Sequence, residues 1–82
     1  MENLISVFPN PVKNLLWIDI PEQYNIERIE MTNDLGQIVW SDKISQGKGF
    51  QYQVDVSNMA RGVYLIRFSN GEKELFQKVL ID

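Results

Sequence analysis

No cysteine and no histidine occur among the 82 residues, and the two absences remove much of catalytic chemistry. Without thiols there is no disulfide framework and no thiolate metal site. Without imidazole there is no Ser-His or Cys-His nucleophile pair, and no imidazole base or ligand. A cysteine-free composition fits a reducing compartment and also an exported domain that does without disulfides. Cationic excess is missing too. Eight Lys+Arg against eleven Asp+Glu give a net charge of −3, with no basic cluster, which excludes a phosphate-tracking nucleic-acid binder. No apolar run approaches the ~20 residues of a membrane helix, so no direct membrane insertion is expected. Met1-Glu2-Asn3-Leu4 lacks a basic region followed by an apolar stretch. It is no signal peptide, and Met1 reads as the start of an excised fragment.

What is there is enough for one domain, residues 1–82, and too little for two. Hydrophobic residues at 44 % and charged residues at 23 % are the proportions of a folded soluble chain. The dominant period is two. Phe50 to Val56 alternates apolar and polar throughout; Leu16, Ile18 and Ile20 share one face, with Trp17 and Asp19 on the other. Ile29 and Met31 likewise oppose Arg28, Glu30 and Thr32. Gly62 to Phe68 is almost wholly apolar, which predicts a central strand with contacts on both sides. Seven strands are predicted: Leu4–Phe8, Leu15–Ile20, Ile26–Asn33, Gln37–Lys43, Phe50–Val56, Val63–Ser69 and Glu74–Ile81. Their spacing with short turns indicates an all-β antiparallel sandwich. Ser57 to Arg61 allows one short helical turn at most.

Turn chemistry separates the strands. Pro9-Asn10-Pro11 breaks pairing, since proline has no amide hydrogen. Asp34-Leu35-Gly36 suits a tight hairpin, with Gly36 at positive φ and Asp34 accepting backbone hydrogen bonds. Gln46 to Gly49 reads as a flexible loop, and Asn70-Gly71 as a hairpin turn. The carboxylates of Asp34, Asp55, Glu72 and Glu74 form no calcium loop, and a sandwich this small rarely encloses the cleft that acid–base work needs, so they read as solvated surface charges. No phosphate-cradling glycine motif is present; Gly36 and Gly62 read as backbone devices. No cofactor or metal is implied.

Two aromatic positions stand out. Trp17 is out of phase with its core neighbours, while Trp40 is in phase with Ile38 and opposite Val39. One of the two is expected to be partly exposed, as a sugar-stacking platform, a protein anchor or neither. The apolar ending Val79-Leu80-Ile81 is either tucked into a sheet or an edge that a partner extends; protection of edges favours the first.

Four segments in fixed order resemble the type A C-terminal sorting domain of the type IX (Por) secretion system. Val7 to Leu16 carries Pro9-Asn10-Pro11 before a strand. Asn33 to Val39 resembles D-x-x-G-(R/K)-x-V, with Gln37 at the basic position. Met59 to Arg67 resembles L-x-x-G-(V/I)-Y-x-(V/I/L)-(R/K), through Gly62, Val63 and Tyr64. Lys73 to Ile81 resembles the terminal strand, with Lys78, Val79, Leu80 and Ile81 at its end. The resemblance spans about Ser6 to Ile81 and implies a seven-stranded immunoglobulin-like sandwich. It implies a secretion signal at the end of a longer precursor of a Gram-negative bacterium. Such a signal carries an N-terminal passenger through the periplasm and the outer-membrane translocon to the surface or medium. A sortase often removes the domain and attaches the passenger.

The reading surface is then expected at Gly62-Val63-Tyr64 and along Gln77 to Ile81, supported by the motif residues Pro9, Asn10, Pro11, Asp34 and Gly36. Other roles open to such a sandwich are a carbohydrate-binding module using Trp17 or Trp40, and a passive fibronectin-like spacer or adhesion module. An enzyme is not expected, for want of His, Cys and a cleft. Self-association through an edge strand is left open.

Overall fold

In the computed structural model, which describes residues 5–44 and 49–82, the two-residue period becomes strands throughout. They are β1 (Ser6–Phe8), β2 (Leu15–Ile20), β3 (Arg28–Thr32), β4 (Ile38–Lys43), β5 (Phe50–Asp55), β6 (Gly62–Ser69) and β7 (Glu74–Ile81). Leu4 of the expected first strand, and Gln46, Gly47 and Lys48 of the expected loop, lie outside the described residues. One sheet has the order β1-β2-β5 and the other β4-β3-β6-β7. Every paired strand is antiparallel.

The core lies between the sheets and follows the alternation. From β2 come Leu16, Ile18 and Ile20, from β3 Ile29 and Met31, and from β5 Val54. From β6 come Tyr64, Ile66 and Phe68, and from β7 Val79 and Ile81. Burying each large side chain is worth about 1.5–3 kcal/mol.

The result is an immunoglobulin-like sandwich of seven strands. In the constant-domain arrangement the fourth strand sits with the first, second and fifth. Here β4 stays beside β3. The three residues between Asn33 and Gln37 leave no length to cross to the other sheet, and Asn33 N–H donates to Gln37 O at 3.0 Å.

Three expectations need correction. β6 is central in its sheet, but only its inner face is covered; Val63 and Leu65 stay 48 % and 41 % exposed. An apolar strand thus has one solvent-facing side, which residue type alone hides. Ile38 and Trp40 do not share a face. The β3–β4 register shifts between Met31 and Thr32, pairing Met31 with Trp40 and Thr32 with Ile38. Val39 is the extra residue of a bulge, so Trp40 packs on the core while Ile38 is 59 % exposed. Third, Ile26 and Glu27 precede β3 instead of opening it, although Ile26 is buried and Glu27 N–H donates to Ser69 O at 2.9 Å.

Candidate functional site

The Pro-Asn-Pro segment carries the chain from one sheet to the other. Phe8 pairs with Trp17 in β2, and four residues later Val12 forms a parallel bridge with Ile81 of β7. Pro9 and Pro11 donate nothing, and the peptide bonds preceding both are cis. Asn10 replaces the missing ladder with its side chain. Its Nδ2 donates to Lys78 O at 3.3 Å and its Oδ1 accepts from Leu80 N–H at 2.9 Å. Val12 N–H then donates to Leu80 O at 2.9 Å, and Asp82 N–H donates to Val12 O at 2.8 Å. β7 is the last strand of its sheet, yet over residues 78–82 its outer edge is occupied by residues 10–12. The tucked reading of the apolar ending therefore holds for this stretch.

The Gly-Val-Tyr motif is a corner. Tyr64 is 5 % exposed, and its hydroxyl donates to Ala60 O, four residues back. This is the tyrosine-corner arrangement of immunoglobulin-like sandwiches, which fixes how a loop enters a strand. Gly62 opens the strand at φ +150°, a backbone that a side chain would strain.

The register sets this corner beside the terminal strand. Gly62 pairs with Ile81, Val63 with Leu80, Tyr64 with Val79 and Leu65 with Lys78. The side chains divide by face. Tyr64, Val79 and Ile81 are buried, whereas Val63, Lys78 and Leu80 face solvent. Around them the same outward face carries Leu65, Phe76 and, across Thr32, Ile38, all more than 40 % exposed. The sequence motifs did not single out Leu65, Phe76 or Ile38; their outward positions emerge only from the sheet register. At the other end of this face, Arg67 bridges two carboxylates. Its Nη1 donates to Glu30 Oε1 at 2.6 Å, its Nε donates to Glu74 Oε2 at 2.9 Å, and Nη2 also reaches Glu74. Glu74 first, then Glu30, holds the guanidinium pKa above its ordinary value.

The hairpin at Asp34 and Gly36 closes the same end of the sheet as Gly62, since Thr32 pairs with Leu65. Gly36 has φ +80° as expected. Asp34 is not the organiser. Asn33 Oδ1 accepts from Leu35 N–H and Gln37 N–H, each at 3.0 Å, and its Nδ2 donates to Gln37 Oε1 at 2.9 Å. The turn's free donors lie after Asn33, so the residue at the start of the loop collects them and Asp34 points to solvent. The Asn70-Gly71 hairpin is built alike. Asn70 Oδ1 accepts from Glu72 N–H and Lys73 N–H, and no positive φ is used at Gly71. Asp55 closes a third such turn, accepting from the Oγ and N–H of Ser57 at 2.6 and 2.9 Å. Those bonds, the side-chain one first, lower its pKa from the ordinary 3.8.

Both tryptophans are partly exposed. Trp40 packs on the core with its ring 6.0 Å from that of Tyr52, and the Tyr52 hydroxyl donates to Asp42, tying the two sheets. Trp17 lies on the outward face of β2. Among the described residues no group of three or more acidic side chains is arranged to hold a metal ion. The β3-β6-β7 sheet presents a face of exposed apolar side chains beside a strand edge that residues 10–12 close.

A family model described as "Secretion system C-terminal sorting domain" matches residues 6–82. No curated protein matches the chain.

Proposed function

The chain belongs to the family of secretion-system C-terminal sorting domains, and from that premise we propose which surface the type IX machinery reads. The domain is a type IX sorting signal. It interacts with the secretion machinery, serves an N-terminal passenger and directs export to the outer membrane or cell surface of a bacterium. The family is not an enzyme family.

The reading surface is the outward face of β6 and β7: Val63, Leu65, Phe76, Lys78 and Leu80. The observation that carries it is exposure. Val63, Leu65, Phe76 and Leu80 remain in water on a sheet whose other face supplies much of the core, and a contiguous exposed apolar patch on a small domain marks an interaction site. Buried Tyr64, Val79 and Ile81 hold the face in place, as do Gly62 and Gly36 at their turns. Pro9, Asn10 and Pro11 fix the terminal strand from its edge, and Asp34 sits at the rim. The whole of residues 1–82 acts as one sorting unit of a longer precursor, in a Gram-negative host and by way of the periplasm. A sortase then removes it and attaches the passenger at the surface. Self-association by strand pairing cannot use residues 78–81 of β7 without displacing residues 10–12.

The test is export of a passenger fusion carrying Leu65→Ser and Leu80→Ser together. Both positions are exposed, so the domain should stay folded. The passenger is expected to accumulate in the periplasm. Export at the wild-type level by a folded double variant would remove this face as the reading surface.

A further inference from the structure

We propose that the outward face of the β1-β2-β5 sheet is a second binding site, one for a neutral polysaccharide chain. The register builds a row across the three strands: Phe8, Trp17 and Gln53. A second row, Ser6, Asp19 and Gln51, lies alongside it. With strands ~4.8 Å apart and rows ~7 Å apart, this is a nearly flat platform about 10 Å across. One part is aromatic, with Phe8 42 % exposed beside the partly exposed indole of Trp17. Amide and carboxylate groups border it.

Three features point to uncharged sugar. A pyranose presents an apolar C–H face and a rim of hydroxyls, which an indole face with hydrogen-bonding neighbours complements. Those neighbours are unspent: among the described residues, the side chains of Trp17, Asp19, Gln51 and Gln53 make no hydrogen bond to protein. Charge excludes anions. β1, β2 and β5 contain no lysine or arginine, and two aspartates, Asp19 and Asp55, face outward. Anionic glycans, phosphates and acidic peptides would meet repulsion there. The opposite sheet face, by contrast, carries Arg67 and Lys78 among aliphatic side chains and lacks an aromatic-amide row. The two faces are separated by the core, so a glycan and the secretion machinery can be held at once.

Native affinity electrophoresis of the 82-residue domain tests this in gels containing dextran, mannan or xylan, with heparin as the anionic control. Retardation by at least one neutral polysaccharide and none by heparin is expected. Trp17→Ala should weaken binding at least about tenfold, as loss of a central tryptophan anchor does. Gln53→Ala, at an exposed position that leaves the fold intact, should weaken it by about threefold or more through a lost hydrogen bond. Trp40→Phe should bind as wild type. Free migration of the wild type in every neutral polysaccharide would overturn the proposal. So would heparin retardation as strong as that in the neutral gels, or binding that survives both Trp17→Ala and Gln53→Ala. A protein partner occupying this face would give that negative result.

Discussion

Asn10, Asn33 and Asn70 each use a side-chain amide where the backbone runs out of partners. Asn10 bonds to Lys78 O and Leu80 N–H, Asn33 to Leu35 N–H and Gln37 N–H, and Asn70 to Glu72 N–H and Lys73 N–H. An amide carries both a donor and an acceptor, so it can stand in for a peptide group, as a carboxylate cannot. Asn33→Ala should therefore destabilise the domain by about 1–2 kcal/mol in urea unfolding, while Asp34→Ala stays within about 0.5 kcal/mol. Equal effects would contradict the assignment of the turn to Asn33. The same reasoning applies to Tyr64. Its ring is buried and its hydroxyl reaches Ala60 O, so Tyr64→Phe should cost about 1 kcal/mol through an unpaired carbonyl. Asp55 titrates below its ordinary 3.8 because Ser57 donates twice to its carboxylate. A depressed folded pKa adds stability that is present above the unfolded value and lost as pH falls through the folded one. Ser57→Ala keeps the backbone donor but loses the hydroxyl, so it should raise the Asp55 pKa part of the way towards 3.8 in a carboxylate NMR titration and weaken that acid-side dependence below about pH 4. An unmoved titration would separate Asp55 from Ser57.

At the scale of elements, β7 is a strand whose edge the chain closes itself. A bare edge of eight residues, Glu74 to Ile81, would template pairing with another copy. Residues 10–12 cover its distal half. Asn10→Ala leaves Lys78 O and Leu80 N–H without their partner. It should lower stability by about 1–3 kcal/mol and introduce concentration-dependent association in sedimentation velocity. A variant that stays monomeric at millimolar concentration would show that Val12 alone protects the edge. Elements with a clean two-residue alternation, such as β2 and β5, were legible in the sequence because one face is apolar and the other polar. β6 was legible as a strand but not in its burial, because Val63 and Leu65 are as apolar as Tyr64 and Ile66. The bulge at Val39 was invisible for a different reason: it is set by pairing with β3, a long-range register that no local pattern encodes. The candidate site inherits both gaps. The motifs named Gly62 to Tyr64 and Lys78 to Ile81, and the register does place them side by side. Which of those side chains face water follows only once the sheet is assembled.

For the whole molecule, the terminal strand belongs to the core as well as to the proposed reading surface. Val79 and Ile81 are 0 % and 2 % exposed, and removing both gives up about 3–6 kcal/mol of burial. Deletion of Lys78 to Asp82 also takes away the partners of Leu65, Tyr64, Val63 and Gly62 in β6 and every bond that anchors Asn10 and Val12. A domain of this length has only about 4–12 kcal/mol of total stability. The truncated domain is therefore expected to be unfolded at 25 °C, with far-ultraviolet circular dichroism of a random chain and no dispersed amide resonances. A well-dispersed spectrum from the truncation would mean that the sandwich does not depend on its last strand. The consequence for sorting is direct. Loss of export on truncation reports loss of the fold and cannot distinguish a strand that is read from one that merely supports. Leu65→Ser with Leu80→Ser separates the two, because those side chains touch water and not the core. If the truncation unfolds and the double variant stays folded but is not exported, the address lies in the outward face that the last strand completes.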